Sequence, residues 1–313
     1  MRRIFCAILV SAAVATAVMT GCGSNNDKKD AVSATQWTVT QSGVSQAAPS
    51  ANEKQSSGTE TNAAGSKFKV NDSQLGEIEI TVAGGVELNK YNNEGFSTEN
   101  GLKTYTKNGN KVSLAGIDVS ENCGDIDWAR VKAAGIDFVM VRLGGRGYGD
   151  EGSLYSDEKA KEYIQGAQSQ GIKTGGYFFS QAISDAEAVE EANYAVQALG
   201  GLKLDFPLAY DWEEIEEDNA RTDNVTNEQL TSCAKAFCEE VRKQGFTPMI
   251  YSESKPLYYK YDLSALKDYG LWLSEYNDLP TFYYNFSMWQ YSNKGQVDGI
   301  NTDVDLNIFI NRV

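Results

Sequence analysis

The stretch Phe206-Pro207-Leu208-Ala209-Tyr210-Asp211-Trp212-Glu213 passes from apolar to acidic within a few residues. Its first half reads as a buried strand, and its end carries two carboxylates. Side chains alternate along a strand, so Asp211 and Glu213 are expected on one face and Trp212 on the other, in the core. Two acids that close do not both ionise freely, and one of them should keep its proton to higher pH. The plainer alternative is a pair of solvated acids in a strand-end turn, extended by Glu214, Glu216, Glu217 and Asp218.

Outward from this stretch, strands and helices alternate from Leu114 onward. The candidate strands are Ala115–Val119, Phe138–Leu143, Lys173–Phe179, Pro207–Glu213, Thr247–Tyr251, Gly270–Tyr276, Ser287–Tyr291 and Val304–Ile308. Helical patterns fill Ile126–Ala134, Asp157–Gln170, Asp185–Leu199 and Asn227–Gln244. Thr226 reads as an N-cap, and Ser184 with Glu187 has the spacing of a capping box. Repeated strand-then-helix order implies an α/β fold with a parallel sheet covered by helices. About eight strands in about 200 residues fit a closed barrel. After Ser252 the connections are too short and too rich in Tyr and Pro for long helices. A barrel gathers functional groups at the C-terminal ends of its strands. Asp118 ends the first strand, and Asp211 and Glu213 end the fourth. Asp303 and Asp305 lie on the last strand, which neighbours the first once the barrel closes. Acids from three separated stretches are therefore expected over one mouth.

The chain before the barrel divides by composition. Residues 1–21 read as a secretory signal: Arg2 and Arg3 open it, and the apolar run Ile4 to Met19 is short for a membrane span. Small residues ahead of Cys22 resemble a lipoprotein signal whose cysteine is lipidated; the alternative is an ordinary cleaved signal with an incidental cysteine. Residues 22–66, rich in Ser, Thr, Asn, Gln and Ala, read as a flexible tether. Residues 67–112 show short alternating runs and the turn pair Asn108-Gly109, expected as a small β-rich module. Residues 113–313 form the barrel.

Composition narrows the chemistry. The 313 residues contain no histidine, which removes Ser-His-Asp triads, Cys-His pairs and His-ligated zinc. Carboxylates are plentiful, with 43 Asp plus Glu against 28 Lys plus Arg, and the net charge of −15 argues against nucleic acid as a partner. Cys6 leaves with the signal. Cys123, Cys233 and Cys238 lack metal-site spacing and are expected unpaired, or with at most one disulfide. No metal or cofactor is expected. A protonated acid beside a charged one is suited to breaking a glycosidic bond.

The runs Gly116-Ile117-Asp118-Val119-Ser120 and Gly124-Asp125-Ile126-Asp127-Trp128 resemble the opening of family 25 glycoside hydrolases, the bacterial and phage muramidases also called Chalaropsis-type lysozymes. The similarity continues through Val141-Arg142-Leu143-Gly144, Arg146-Gly147-Tyr148, Gly176-Tyr177-Phe178-Phe179-Ser180-Gln181-Ala182 and Asp211-Trp212-Glu213. It ends with Trp289-Gln290-Tyr291 and Val304-Asp305-Leu306-Asn307. It implies a modified TIM-like barrel of about eight strands and five helices. It also implies hydrolysis of the β-1,4 bond between N-acetylmuramic acid and N-acetylglucosamine in peptidoglycan. Carried over by position, Glu213 is the general acid, Asp211 its charged partner, and Asp118 and Asp305 the rest of an acidic floor. Many members carry Tyr-His-Phe or Tyr-His-Tyr where this chain has Tyr177-Phe178-Phe179. By alternation Phe178 points outward, which leaves the chemistry intact, and Tyr177 and Phe179 point inward for sugar stacking. Tyr251, Trp289 and Tyr291 are further rim candidates. Arg142, Glu275 and Gln290 are candidate contacts with sugar hydroxyls or acetamides.

Two strand steps put the Cα atoms of Asp211 and Glu213 about 6.6 Å apart. Their carboxyl groups can then stand about 5 to 8 Å apart, a range that spans retaining and inverting geometries. A third route, favoured here, is attack by the substrate's own 2-acetamido oxygen with Asp211 orienting the amide. Two other functional classes are open: a barrel that binds glycan without cutting it, and an acidic mouth holding calcium. Glu213 to Asp218 lacks the alternation of a calcium loop. The leader and tether imply a lipid-anchored or secreted protein outside the cytoplasmic membrane, facing the wall.

Overall fold

A two-stranded hairpin is marginal by itself in water, and the opening strands here share their buried apolar side chains with the barrel. In the computed structural model the described residues are 63–216 and 218–311. The signal 1–21, Cys22 and the tether as far as residue 62 lie outside them. A hairpin of β1 (Lys67–Asp72) and β2 (Gly76–Thr81) is followed by a second small sheet, β3 (Phe96–Glu99), β4 (Leu102–Lys107) and β5 (Asn110–Lys111). Asn108 and Gly109 join β4 to β5 with φ of 53° and 80°, the backbone that a two-residue hairpin turn requires. Both sheets lie against the barrel. Tyr91 Oη donates to Phe286 O at 2.6 Å, and Ala83 N donates to Tyr284 Oη at 2.8 Å.

The barrel comprises β6 (Ser113–Val119), α1 (Trp128–Ala133), β7 (Phe138–Arg146), β8 (Leu154–Ser156), α2 (Ala160–Ser169), β9 (Lys173–Phe179), α3 (Asp185–Leu199), β10 (Leu208–Asp211), α4 (Asn227–Lys243), β11 (Pro248–Glu253), α5 (Ser254–Tyr259), α6 (Leu263–Leu266), β12 (Gly270–Ser274), β13 (Met288–Gly295) and β14 (Val304–Ile310). The order β6-β14-β13-β12-β11-β10-β9-β7 closes because β6 also pairs with β7. Short β8 adds to β7 at its outer end. Ser184 and Thr226 cap α3 and α4 through Glu187 N and Gln229 N, but the Glu187 carboxylate takes Ile183 N rather than Ser184 N, so the expected capping box forms only in half. After β11 the described helices are the short α5 and α6.

The expected all-parallel sheet needs one correction. β14 runs antiparallel to both β13 and β6. The segment 296–303 is too short for the crossover of a dozen or more residues that parallel pairing demands. The start of β14 therefore reaches the end of the barrel where the parallel strands finish.

Inside, the packing is graded. Phe138 and Phe206 stack with ring centroids 4.7 Å apart, and Phe309 meets both edge-on, which plugs the far end. Gly116 lies under the Phe138 ring, where a Cβ would collide with it. Met140, Ala209, Met249, Trp272 and Met288 fill the middle. Phe178 points outward onto Tyr194 of α3 and Phe237 of α4, as alternation predicts. Trp212 also turns outward, its ring meeting Tyr261 edge-on.

Candidate active site

Above the apolar plug the inward positions become polar. Asp305 at the start of β14 pairs in register with Asp118 near the end of β6. This juxtaposition exists because β14 is antiparallel. Asp118, 8% exposed, accepts hydrogen bonds on Oδ2 from Gln290 Nε2 and Asn307 Nδ2, both at 2.8 Å. Each amide is locked from behind. Gln290 Oε1 accepts from the hydroxyls of Tyr251 at 3.0 Å, Ser274 at 3.1 Å and Tyr276 at 2.9 Å. Asn307 Oδ1 accepts from Trp272 Nε1 at 2.8 Å. The amide oxygens face donors, so the NH2 groups face the carboxylate.

Asp211 ends β10 in register with Phe179 on one side and Tyr251 on the other. It is 4% exposed. The strand stops here, two residues earlier than expected, because its β9 neighbour also stops at Phe179. Glu213 is thus half-buried beyond the ladder rather than on it, and its carbonyl accepts from Gln181 Nε2 at 3.1 Å.

Tyr177 reports the convergence. Burial pushes its phenol well above the ordinary tyrosine value, and the charges of Asp118, Asp211 and Asp305 push the same way against the pull of Arg142. One hydroxyl therefore feels carboxylates from β6, β10 and β14, and it remains a hydrogen-bond donor at any working pH. Arg142 donates from Nε to Asp157 Oδ2 at 2.8 Å and from Nη2 to Glu121 at 3.2 Å, and it lies over the ring of Tyr155. Phe179 faces inward at the end of β9, half-buried beside Gly145.

Four of the residues expected at the mouth are elsewhere. Trp289 and Tyr291 flank inward-facing Gln290 and therefore point out of the barrel. Both rings lie 5.5 Å from the Lys103 ammonium of β4, and Trp289 Nε1 donates to Glu275 O at 2.7 Å. Glu275, fully buried, accepts from Ser73 Oγ at 2.5 Å, from Thr281 N at 3.0 Å and from Phe282 N at 3.2 Å, so its carboxylate is spent on the opening hairpin and on its own loop. Tyr251 faces inward, level with Asp211, and its hydroxyl is taken up by Gln290. Asp303 is exposed and bonded to Gln296. Asn307 is the residue that sequence reasoning passed over. It stands two positions from Asp305, on the same face by strand alternation.

Residues 117–300 match the model of glycosyl hydrolases family 25. The chain belongs to that family. The autolytic lysozyme of Clostridium acetobutylicum is 29% identical over 198 residues, 63% of this chain and 56% of that protein. Lysozyme M1 of Streptomyces globisporus is 24% identical over 206 residues, 63% of this chain and 67% of that protein. Among solved structures, the modular autolysin LytC of Streptococcus pneumoniae, in complex with a synthetic peptidoglycan ligand, superposes with a TM-score of 0.54 at 23% identity. That match covers 69% of this chain and 52% of the autolysin, so this family 25 chain spans little more than half of the first relatives it resembles. A family 25 glycosyl hydrolase of Bacillus anthracis gives 0.54 at 20% identity, over 64% of this chain and 89% of that one. These superpositions establish the barrel they share. The three cysteines Cys123, Cys233 and Cys238 are free thiols.

Proposed function

We propose that the chain is a lysozyme that hydrolyses the β-1,4 bond between N-acetylmuramic acid and N-acetylglucosamine in peptidoglycan, with Glu213 as general acid and Asp211 as its partner. The observation that carries this reading is the placement of acids at one end of the barrel, with Asp305 paired in register with Asp118 and with Asp211 ending β10 two residues before Glu213. Family membership supports it, as do the names of the Clostridium and Streptomyces relatives. Protonated Glu213 gives its hydrogen to the glycosidic oxygen as the bond to the anomeric carbon breaks. The 2-acetamido oxygen of the same sugar attacks that carbon while Asp211 orients the amide N–H. Water then opens the cyclic intermediate and returns a proton to Glu213. Asp118 is a fixed negative group that stabilises the positive charge developing on the sugar. Asp305 lies opposite it in the same role.

Mass analysis of fragments released from purified peptidoglycan tests the assignment. Reducing-end muramic acid is expected, and reducing-end glucosamine names a different bond. A covalent sugar ester on Asp211 would refute the acetamide route. The proposal extends to place: a lipid on Cys22 holds the enzyme outside the membrane, within reach of the wall. Cells fed labelled palmitate should label the parent protein and not the Cys22→Ala variant; equal labelling removes the anchor from the proposal.

A further inference from the structure

The proposed acid stands two residues past the end of its strand. β10 gives out at Asp211, and Glu213 opens a long loop that runs to the N-cap of α4. Gln181, fully buried, spans that loop. Its Nε2 donates to Glu213 O at 3.1 Å, and its Oε1 accepts from Thr222 Oγ1 at 2.7 Å. The Glu213 carbonyl can only accept, which fixes the NH2 end of the amide there, and the buried Thr222 hydroxyl donates to the oxygen end. The side chain thus supplies the rung that a neighbouring strand would supply one step earlier.

The residue is braced in turn. Ser180 N donates to Asp211 O at 2.7 Å, so the dipeptide Ser180-Gln181 touches the backbone of both proposed catalytic acids. Ser180 Oγ and Gln181 N donate to the two carboxylate oxygens of Glu191 on α3, at 2.5 and 3.3 Å. Glu191 is pinned by Arg146 Nε at 2.8 Å, from the end of β7. Arg221, beside Thr222, donates to Gln181 O at 3.2 Å and forks onto Glu187 at 2.8 and 3.0 Å. Packing alone does not require this. A leucine or methionine would fill the space without the cost of burying an amide.

We propose that Gln181 is a positioning residue for Glu213, stapling the acid's peptide to Thr222 so that the loop holds the carboxyl in place during proton transfer. The proposal rests on Glu213 being the acid. Displacements of about 1 Å at a reacting group cost up to about a hundredfold in rate. Gln181→Leu is therefore expected to lower kcat on purified peptidoglycan about ten- to a hundredfold, with KM within about twofold of the parent. Thr222→Val, which removes only the hydroxyl bonded to the amide oxygen, is expected to lower kcat about three- to tenfold, and Thr222→Ser to restore it. The threonine pair carries the test if Gln181→Leu fails to fold.

The outcomes separate. If Glu213→Gln is inactive while Gln181→Leu and Thr222→Val keep kcat within twofold, the staple is wrong and the acid assignment stands. The staple is equally wrong if KM rises as much as kcat falls, or if Thr222→Ser is no better than Thr222→Val. If Glu213→Gln keeps parental turnover, the acid assignment itself falls, whatever the staple variants do.

Discussion

Glu213 and Asp211 are separated by one residue and placed by different forces. Asp211 is set by two strand neighbours. Glu213 is set by a loop. Replacing the carboxyl of Glu213 by an amide keeps its shape and removes its transferable proton. Glu213→Gln is expected to lower turnover by about 10²–10⁴. Retention of the protein on purified cell wall should stay within about threefold of the parent, since binding does not need the proton. Dye release and a sedimentation assay measure the two quantities, and near-parental turnover would exclude the role. The same scale shows which side chains were legible. Alternation along one strand turns Trp212 out and Asp211 in, and the structure follows it. Applied to Trp289-Gln290-Tyr291, the rule puts Gln290 inside and both rings outside. The ring-rich motif invites a sugar-stacking role, but the period of two overrules it.

At the scale of elements, the end of β10 and the direction of β14 decide the site. Neither is written in local propensity. The length of a strand's end depends on where its neighbours stop, and β9 stops at Phe179. The direction of β14 depends on a connection too short to cross the barrel. Helix α3 carried a clearer signal. Its buried face reads Ala188, Glu191, Ala192, Ala195, and a carboxylate among alanines asks for a partner. Burial pushes the Glu191 carboxyl up to about 7, with its bonds from Ser180 and Arg146 pulling the other way. In the folded chain this group therefore binds a proton that the unfolded chain, with an ordinary value of about 4.3, has already released. Its contribution to stability is complete below that ordinary value and is lost as pH rises through about 7. Thermal midpoints of the parent should fall between pH 5 and pH 8, and Glu191→Gln should flatten that fall. An unchanged slope in the variant would assign the pH dependence to other groups.

At the scale of the whole molecule, one buried acid of the barrel ties down the opening hairpin. Composition separated residues 67–112 from the barrel, because the runs there are short and alternate with period two. Docking is not carried by composition, since the partner of Ser73 lies 202 residues further along the chain. Glu275 takes hydrogen bonds from Ser73 Oγ, Thr281 N and Phe282 N, and the Thr281 hydroxyl bonds it as well. Ser73 N in turn donates to Thr281 Oγ1 at 2.8 Å, so the hairpin turn is tied twice. In Glu275→Gln the new NH2 group must face donors in at least one direction. A buried donor left without its acceptor costs about 1–3 kcal/mol, so urea denaturation should show a loss of that size. The transition should remain single, because the hairpin, the β3–β5 sheet and the barrel share one buried core. Hydrogen exchange should quicken most at 67–81, where the tie is made. Turnover should stay within about twofold, because the loop bearing Glu213 is braced from α3 and not from Glu275. Two separated unfolding transitions in the parent protein would instead make the opening sheets an independent unit and the buried acid a mere contact between domains.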